Sequence, residues 1–595
     1  MGAENAMFVC LFKARLITGF LLSALVFSFG HAQEPSPGLK QADADYRAGV
    51  AALSGNDLNT ALADFEKVVH LAPAAEPGHS ALGAVLLRLG RTAEGIRELE
   101  KALAIQSSDS SAQLNLALAY EQTGQSAKAL PWFAKLETAS HTEKKTLPAP
   151  VLASYARALG AARQFPAALT KMKEALAADP QNAELHDELG SLYAQHKDWS
   201  NAQQAFAAAI QANPDFAMAH LHLGITLQAQ QQPGALDELA KAYQLAPQNA
   251  VIALQFGEAL ASAGQDEQAI PVLQHALEID PGSTQAAYQL ALALQRSNQL
   301  QDAIPLLEKA AAADPKNAEV LTNLGMALCQ AQQAKDAVPI LQRAVALTPD
   351  SATAHQNLAA AYIQLSQFDD AVSQLRMALK ISPNAPQLHY NLGLAFKMQD
   401  DAAAAIPELE TAEKLDSSAS EPPYVLGVLY LQAGRYPDAA RELNVSLKLR
   451  PENGDGWATL GSVDNNLGNL PEAVAALREA IRQLPQQPDP HLTLAAVLVK
   501  QNQPAEAAAE RKQAAELMRT NMNRQRAEVA SNSGNSLLKS GKVDEAIVEF
   551  RDALSYDPTY AEGHIGLAKA LEQQGKTVEA AAERQKGETL KKVSQ

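Results

Sequence analysis

Apolar residues recur through this chain with a 34-residue period, and within each period they sit at helical spacing. In the stretch beginning at Ala352, Leu358, Ala359 and Tyr362 stand at i, i+1 and i+4, and Ala371, Leu375 and Ala378 at i, i+4 and i+7. Polar residues fill most of the gaps. This spacing predicts two amphipathic helices per period and no strands. Helix A covers roughly positions 2–14 and helix B roughly positions 17–30, separated by turns such as Ala263-Gly264-Gln265. Proline closes each period: Pro180, Pro214, Pro247, Pro281, Pro315, Pro349 and Pro383 are 34, 33, 34, 34, 34 and 34 residues apart, and the beat continues through Ser417, Pro451 and Pro485. Proline biases the residue before it away from helix and so stops helix B. Pro131, Pro271, Pro305, Pro339 and Pro407 stand at position 22. They are expected close to a helix start, where backbone N–H groups lack intrahelical partners.

With that closing proline at position 32, sixteen repeats start at Ala42, Glu76, Ser110, Ala149, Ala183, Ala217, Ala250, Thr284, Ala318, Ala352, Pro386, Ser420, Gly454, Pro488, Ala527 and Ala561. Position 8 is Gly or Ala in all sixteen, and position 20 is Gly95 in one repeat and Ala in the other fifteen, once the missing residue of the 33-residue repeat from Ala217 is allowed for, which brings Ala235 to that position. Small residues at two fixed points imply helices whose backbones approach closely. Large residues flank them, as with Leu189, Tyr193 and Phe206. A helix pair repeated at this period stacks into a solenoid. The pattern at positions 4, 7, 8, 11, 20, 24, 27 and 32 resembles the tetratricopeptide repeat family over residues 42–595. The resemblance implies an all-α fold, an α–α superhelical solenoid of about sixteen helix pairs. It also implies a binding scaffold in which the helices A line a concave face.

The ends and insertions set the expected organisation. Lys13 and Arg15 precede an uncharged run from Leu16 to Gly30, and Gly30-His31-Ala32 offers small residues at the −3 and −1 sites. Residues 1–32 therefore read as a bacterial-type secretory signal peptide cut before Gln33. The run is short for a membrane span, so no stable span is expected after cleavage. Cys10 precedes the apolar run, against a lipoprotein site, and Ala6 disfavours myristoylation. Export would place the protein in the periplasm, the cell envelope or the medium. Residues 33–41 read as a flexible lead-in. Five extra residues near His141–Pro148, and five more in the charged repeat from Pro488 to Arg526, suggest three blocks, 42–148, 149–526 and 527–595, with hinges near 141–148 and 519–526.

Charge and candidate chemistry mostly exclude functions. The net charge is −17, and removal of residues 1–32, which carry Lys13, Arg15 and Glu4, leaves −18. An acidic solenoid repels phosphate backbones, so nucleic acid is not an expected partner. Cys329 alone would remain after cleavage, and no disulfide is expected. Thirteen histidines are present, but His79, His186, His220, His355, His389, His491 and His564 all occupy position 4, where Trp457 stands in another repeat. A packing role is the default there. His220 and His222 do not share a helix face, which makes them a poor metal pair. Gly575-Lys576-Thr577 has Ala570 where a phosphate loop needs glycine. The repeats leave no stretch long enough for a catalytic domain, so neither enzyme activity nor a cofactor is expected.

Position 6 carries the candidate binding chemistry. Five successive repeats read Gln255, Gln289, Asn323, Asn357 and Asn391, with Asn115 and Asn532 at the same slot elsewhere; Val425 and Thr459 break the row. Carboxamides at a regular rise can donate to and accept from an extended peptide backbone. The row is similar to the asparagine ladder in the tetratricopeptide superhelix of O-linked N-acetylglucosamine transferases, whose catalytic part has no counterpart here. Leu254, Tyr288, Tyr390 and Tyr424 at position 5, and Leu292, Met326 and Leu394 at position 9, flank it as receptors for peptide side chains. The Lys and Asn pair of the family's carboxylate-clamp members is absent from every repeat. The expected function is an exported, non-catalytic scaffold for a protein or peptide partner held in the concave groove. Alternatives are an accessory part of an envelope polysaccharide-export or outer-membrane assembly system, and a part of a glycosyltransferase-type system, which sugar-nucleotide binding would reveal.

Overall fold

The computed structural model describes residues 37–593. The expected signal peptide, residues 1–32, lies outside them. The described residues form 31 helices and no strands, and none of those helices is long and apolar enough to cross a membrane. The chain divides between Pro315 and Lys316 into two compact units, the first with repeats 1–8 and the second with repeats 9–16.

The helix pairs follow the period closely. In the repeat from Ala352, helix A is Ala352–Gln364 and helix B is Phe368–Ile381. Each helix A packs on its own helix B, and within a unit successive helices A also touch. The two small positions explain the close approach. A Cβ added to Gly325 at position 8 would lie 2.3 Å from Leu341 Cγ at position 24. Ala303, Ala337 and Ala371 at position 20 have no exposed surface. Position 15 is the other fixed point. All sixteen repeats leave helix A through a left-handed residue there, glycine in seven (Gly90, Gly124, Gly264, Gly434, Gly468, Gly541, Gly575) and a side-chain-bearing residue such as Lys197 or Ser366 in nine. The turn after Ala352–Gln364 shows why: Ser366 N–H donates to Ile363 O and Gln367 N–H to Tyr362 O, both at 2.9 Å. These bonds satisfy the last carbonyls of the helix.

The position-4 rings do more than pack. His389 Nε2 lies 3.0 Å from the Pro383 carbonyl that closes the preceding repeat, and Nδ1 lies 2.6 Å from Glu408 on its own helix B. His79, His220 and His564 make the same pair of bonds with Glu98, Glu238 and Glu583. Trp457 makes only the first of them, Nε1 to Pro451 O at 2.8 Å. A backbone carbonyl can only accept, so Nε2 donates to it, while Nδ1 meets the carboxyl group. The ring thus ties one repeat's closing loop to the next repeat's helix B.

Three expectations change. Residues 37–41 are the opening of the helix Pro37–Ser54 rather than part of a lead-in. No turn interrupts residues 519–526, because Pro504–Lys539 is one continuous helix of 36 residues. It serves as helix B of one repeat and helix A of the next. Arg519 takes the place of the closing proline, and no glycine or proline occurs between Ala505 and Ser533 to stop the helix. The position-22 prolines sit sixth in their helices, past the free N–H groups of the first turn. They are tolerated for another reason: Pro271 and the adjacent face with Glu267 are exposed, so the carbonyl that loses its partner meets water.

Candidate peptide-binding surface

The position-5, -6 and -9 side chains share the outer face of each helix A. In the N-terminal unit, Leu254 and Gln255 lie on Ala250–Ser262, and Tyr288, Gln289 and Leu292 on Thr284–Arg296. In the C-terminal unit, Asn323 and Met326 lie on Ala318–Gln330, Asn357 on Ala352–Gln364, Tyr390, Asn391 and Leu394 on Pro386–Met398, and Tyr424 on Glu421–Gln432. All twelve are half-buried. That suits a surface that packs below and remains reachable above. Tyr390, Leu394 and Tyr424 rest on one hydrophobic cluster of the C-terminal unit, with Leu392 and Leu426 beneath them. Leu254 rests on clusters of the N-terminal unit.

The carboxamides are not equivalent. Gln255 Nε2 donates to Glu258 Oε2 at 2.9 Å, and Gln285 Nε2 reaches the other oxygen of the same carboxylate at 2.9 Å. Burial pushes the Glu258 carboxyl above its ordinary value, and these two amides oppose the shift. Gln255 is therefore committed to holding Glu258. Asn391 Oδ1 accepts from Gln387 Nε2 at 2.9 Å. Asn357 Nδ2 is buried and has no hydrogen-bond partner. Of the outlying members, Asn115 is buried, 6% exposed, and Asn532 is exposed. Neither continues the row in an equivalent setting.

Models of the tetratricopeptide repeat match residues 80–142, 156–202, 188–250, 251–283, 288–352 and 424–488, and a TPR repeat model matches residues 361–400 and 534–575. Together these matches take in most of the chain. The chain belongs to the tetratricopeptide repeat family. The family's repeats make this tetratricopeptide protein a protein-interaction scaffold. Comparison with curated proteins gives no significant sequence match. Among solved structures, "MamA 41-end from Desulfovibrio magneticus RS-1" is 23% identical, covers 28% of this chain and 96% of that one, and superposes with a TM-score of 0.27. "Crystal structure of YrrB: a TPR protein with an unusual peptide-binding site" is 24% identical over 33% of this chain and 97% of that one, TM-score 0.28. "Crystal structure of APC/C hetero-tetramer Cut9-Hcn1" is 16% identical over 89% and 96%, TM-score 0.31. The family assignment rests on the repeat matches and the helix pairs.

The same face of the tetratricopeptide array carries charged chemistry that the carboxamide pattern does not announce. In repeats 3–6, Arg157 reaches Glu121 Oε1 at 3.0 Å, Glu188 Oε1 at 2.9 Å and Ser154 Oγ at 2.7 Å. Burial works against the charge of Arg157, but Glu188 and Glu121 outweigh it and hold the guanidinium above its ordinary value. Burial pushes Glu188 up, and Arg157 offsets part of the shift. One helix further on, His222 Nδ1 pairs with Asp187 Oδ1 at 2.8 Å. His220 turns to Glu238 and the Pro214 carbonyl instead, so the two histidines share no partner. The available signal was position 6 itself, which reads Ser154, Glu188 and His222 just before the carboxamides begin. Cys329 is buried, and burial pushes its thiol up to about 11, which leaves it inert as a nucleophile.

Proposed function

We propose that this protein is a non-catalytic scaffold, exported to the cell envelope, that holds an extended protein segment along the helix-A face of its C-terminal unit. Asn323, Asn357 and Asn391 bond the segment's backbone, and Met326, Tyr390, Leu394 and Tyr424 receive its side chains. Gln289, Tyr288 and Leu292 offer the same chemistry in the N-terminal unit. The observation that carries this reading is the buried, unpartnered Nδ2 of Asn357. An unmet buried donor costs about 1–3 kcal/mol, and a peptide carbonyl would recover that cost. Export rests on residues 1–32 and is tested by locating the mature N-terminus.

Peptides selected from a displayed library against the full-length protein test the groove. Asn357→Ala should weaken the best binder several-fold. The triple change of Asn323, Asn357 and Asn391 to Ala should weaken it by far more than tenfold, since one carboxamide supplies only about 1 kcal/mol net. Equal affinity for wild type and triple variant would move binding off this face.

A further inference from the structure

Among the described residues most buried carboxylates have a partner: Glu121 has Arg157, Asp187 has His222, Asp64 has Lys67, Glu442 has Arg441, and Asp464 takes a bond from Asn469 at 3.4 Å. Glu76 is the exception. It is 3% exposed, and both of its carboxylate oxygens are buried with no hydrogen-bond partner. A second carboxylate stands beside it. Asp109 caps the helix Ser110–Gln122, accepting from Ser111 N at 2.9 Å and Ala112 N at 3.2 Å, and takes a further bond from Ser80 Oγ at 2.8 Å. All three donors are neutral. The Tyr46 hydroxyl feels both acids, since burial, then Glu76, then Asp109 hold its proton more firmly. Tyr46 and Ser80 occupy position 5 of successive repeats, and they and Asp109 are half-buried. The pair is therefore open on the helix-A side, through Asp109. The two carboxyls lie within hydrogen-bonding reach of each other, and no cation among the described residues pairs with either.

We infer that this acidic pair receives a cationic side chain, a lysine ammonium or arginine guanidinium, from a protein partner. Two acceptor groups, one with both oxygens unpaired, match the three donors of an ammonium or the fork of a guanidinium. The strongly acidic chain favours the approach of basic partners. Without a partner a proton takes the cation's place: burial and then Asp109 push the Glu76 carboxyl up to about 8. A bound cation returns Glu76 to its ionised form and releases that proton. The site stands apart from the carboxamide row, and its fate does not depend on the peptide reading above.

Isothermal titration calorimetry at pH 7, in two buffers of different protonation enthalpy, tests this with the full-length protein. The probes are tetralysine, its Nε-acetylated twin and tetra-arginine. Tetralysine, tetra-arginine or both should bind and release about one proton per site, and the acetylated twin should not bind. Glu76→Gln keeps the shape and replaces a protonated, neutral carboxyl with a neutral amide, so it should fold about as well as wild type. It should weaken binding at least tenfold and abolish proton release. Glu452→Gln removes a carboxylate from an exposed site and should alter neither. Binding of the acetylated twin, equal losses in the two variants, or binding with no proton release would each overturn the assignment.

Discussion

Single side chains in this molecule are tuned by what faces them. Glu76, raised by burial and Asp109, holds a proton in the folded state that the unfolded chain gives up near its ordinary value. The folded state then binds more protons than the unfolded one between those two values, so its stability falls as pH rises from about 4.5 to about 8. In thermal melts across that range, Glu76→Gln should lose this component of the decline; parallel profiles would show that Glu76 does not titrate there. The position-4 rings set a second test. His389→Phe strands the Pro383 carbonyl and the Glu408 carboxylate, and should cost about 1–3 kcal/mol in denaturant unfolding. The ring slot was readable in the sequence, because Trp457 marks it. Its two-ended bonding was not, since Glu408 lies 19 residues away on another helix. The Arg157 cluster escaped for the same reason, with partners 36 and 31 residues distant.

Helices were the most legible level. Positions 8 and 20 located the close contact, and Ala337→Leu, at a site with no exposed surface, should cost about 1–3 kcal/mol by overpacking. The left-handed position 15 offers a paired test at an otherwise equal turn. Gly434→Ala forces a side chain into that conformation and should destabilise by about 1 kcal/mol, whereas Ser366→Gly should be neutral or stabilising by several tenths. Similar losses from both changes would deny the turn its role. Helix ends were legible wherever proline or glycine punctuates the chain. The expected break at 519–526 came from charge and length alone, with no residue present that ends a helix. Limited proteolysis should accordingly cut the connection 143–148, which joins helices ending at Thr142 and starting at Ala149, well before it cuts residues 519–526.

At the scale of the whole molecule, stability is a sum over neighbours. The Ala337→Leu damage should appear in hydrogen exchange as lost protection in its own and adjoining repeats of the C-terminal unit, with distant repeats unchanged. Simultaneous loss along the whole unit would mean that its repeats are coupled far more tightly. The period predicted the sixteen pairs. It did not predict the division between Pro315 and Lys316, where the sequence keeps its beat without interruption.

The continuous helix Pro504–Lys539 makes residue number a matter of gearing for the repeats that follow it. Between most helices an added residue is absorbed by a loop, as the 33-residue repeat from Ala217 and the longer connection after Thr142 show. Inside a helix that two repeats share there is no loop to absorb it. One residue inserted near Asn521 would turn the downstream half about 100° and advance it about 1.5 Å. Ala527, Ala530 and Gly534, now packed inward, would swing away from Phe550 and Tyr560. Four residues would nearly restore the facing and seven would do so within about 20°. Tolerance to insertion here should thus rise and fall with the helical turn, like a shaft that drives its load only when the key meets the slot.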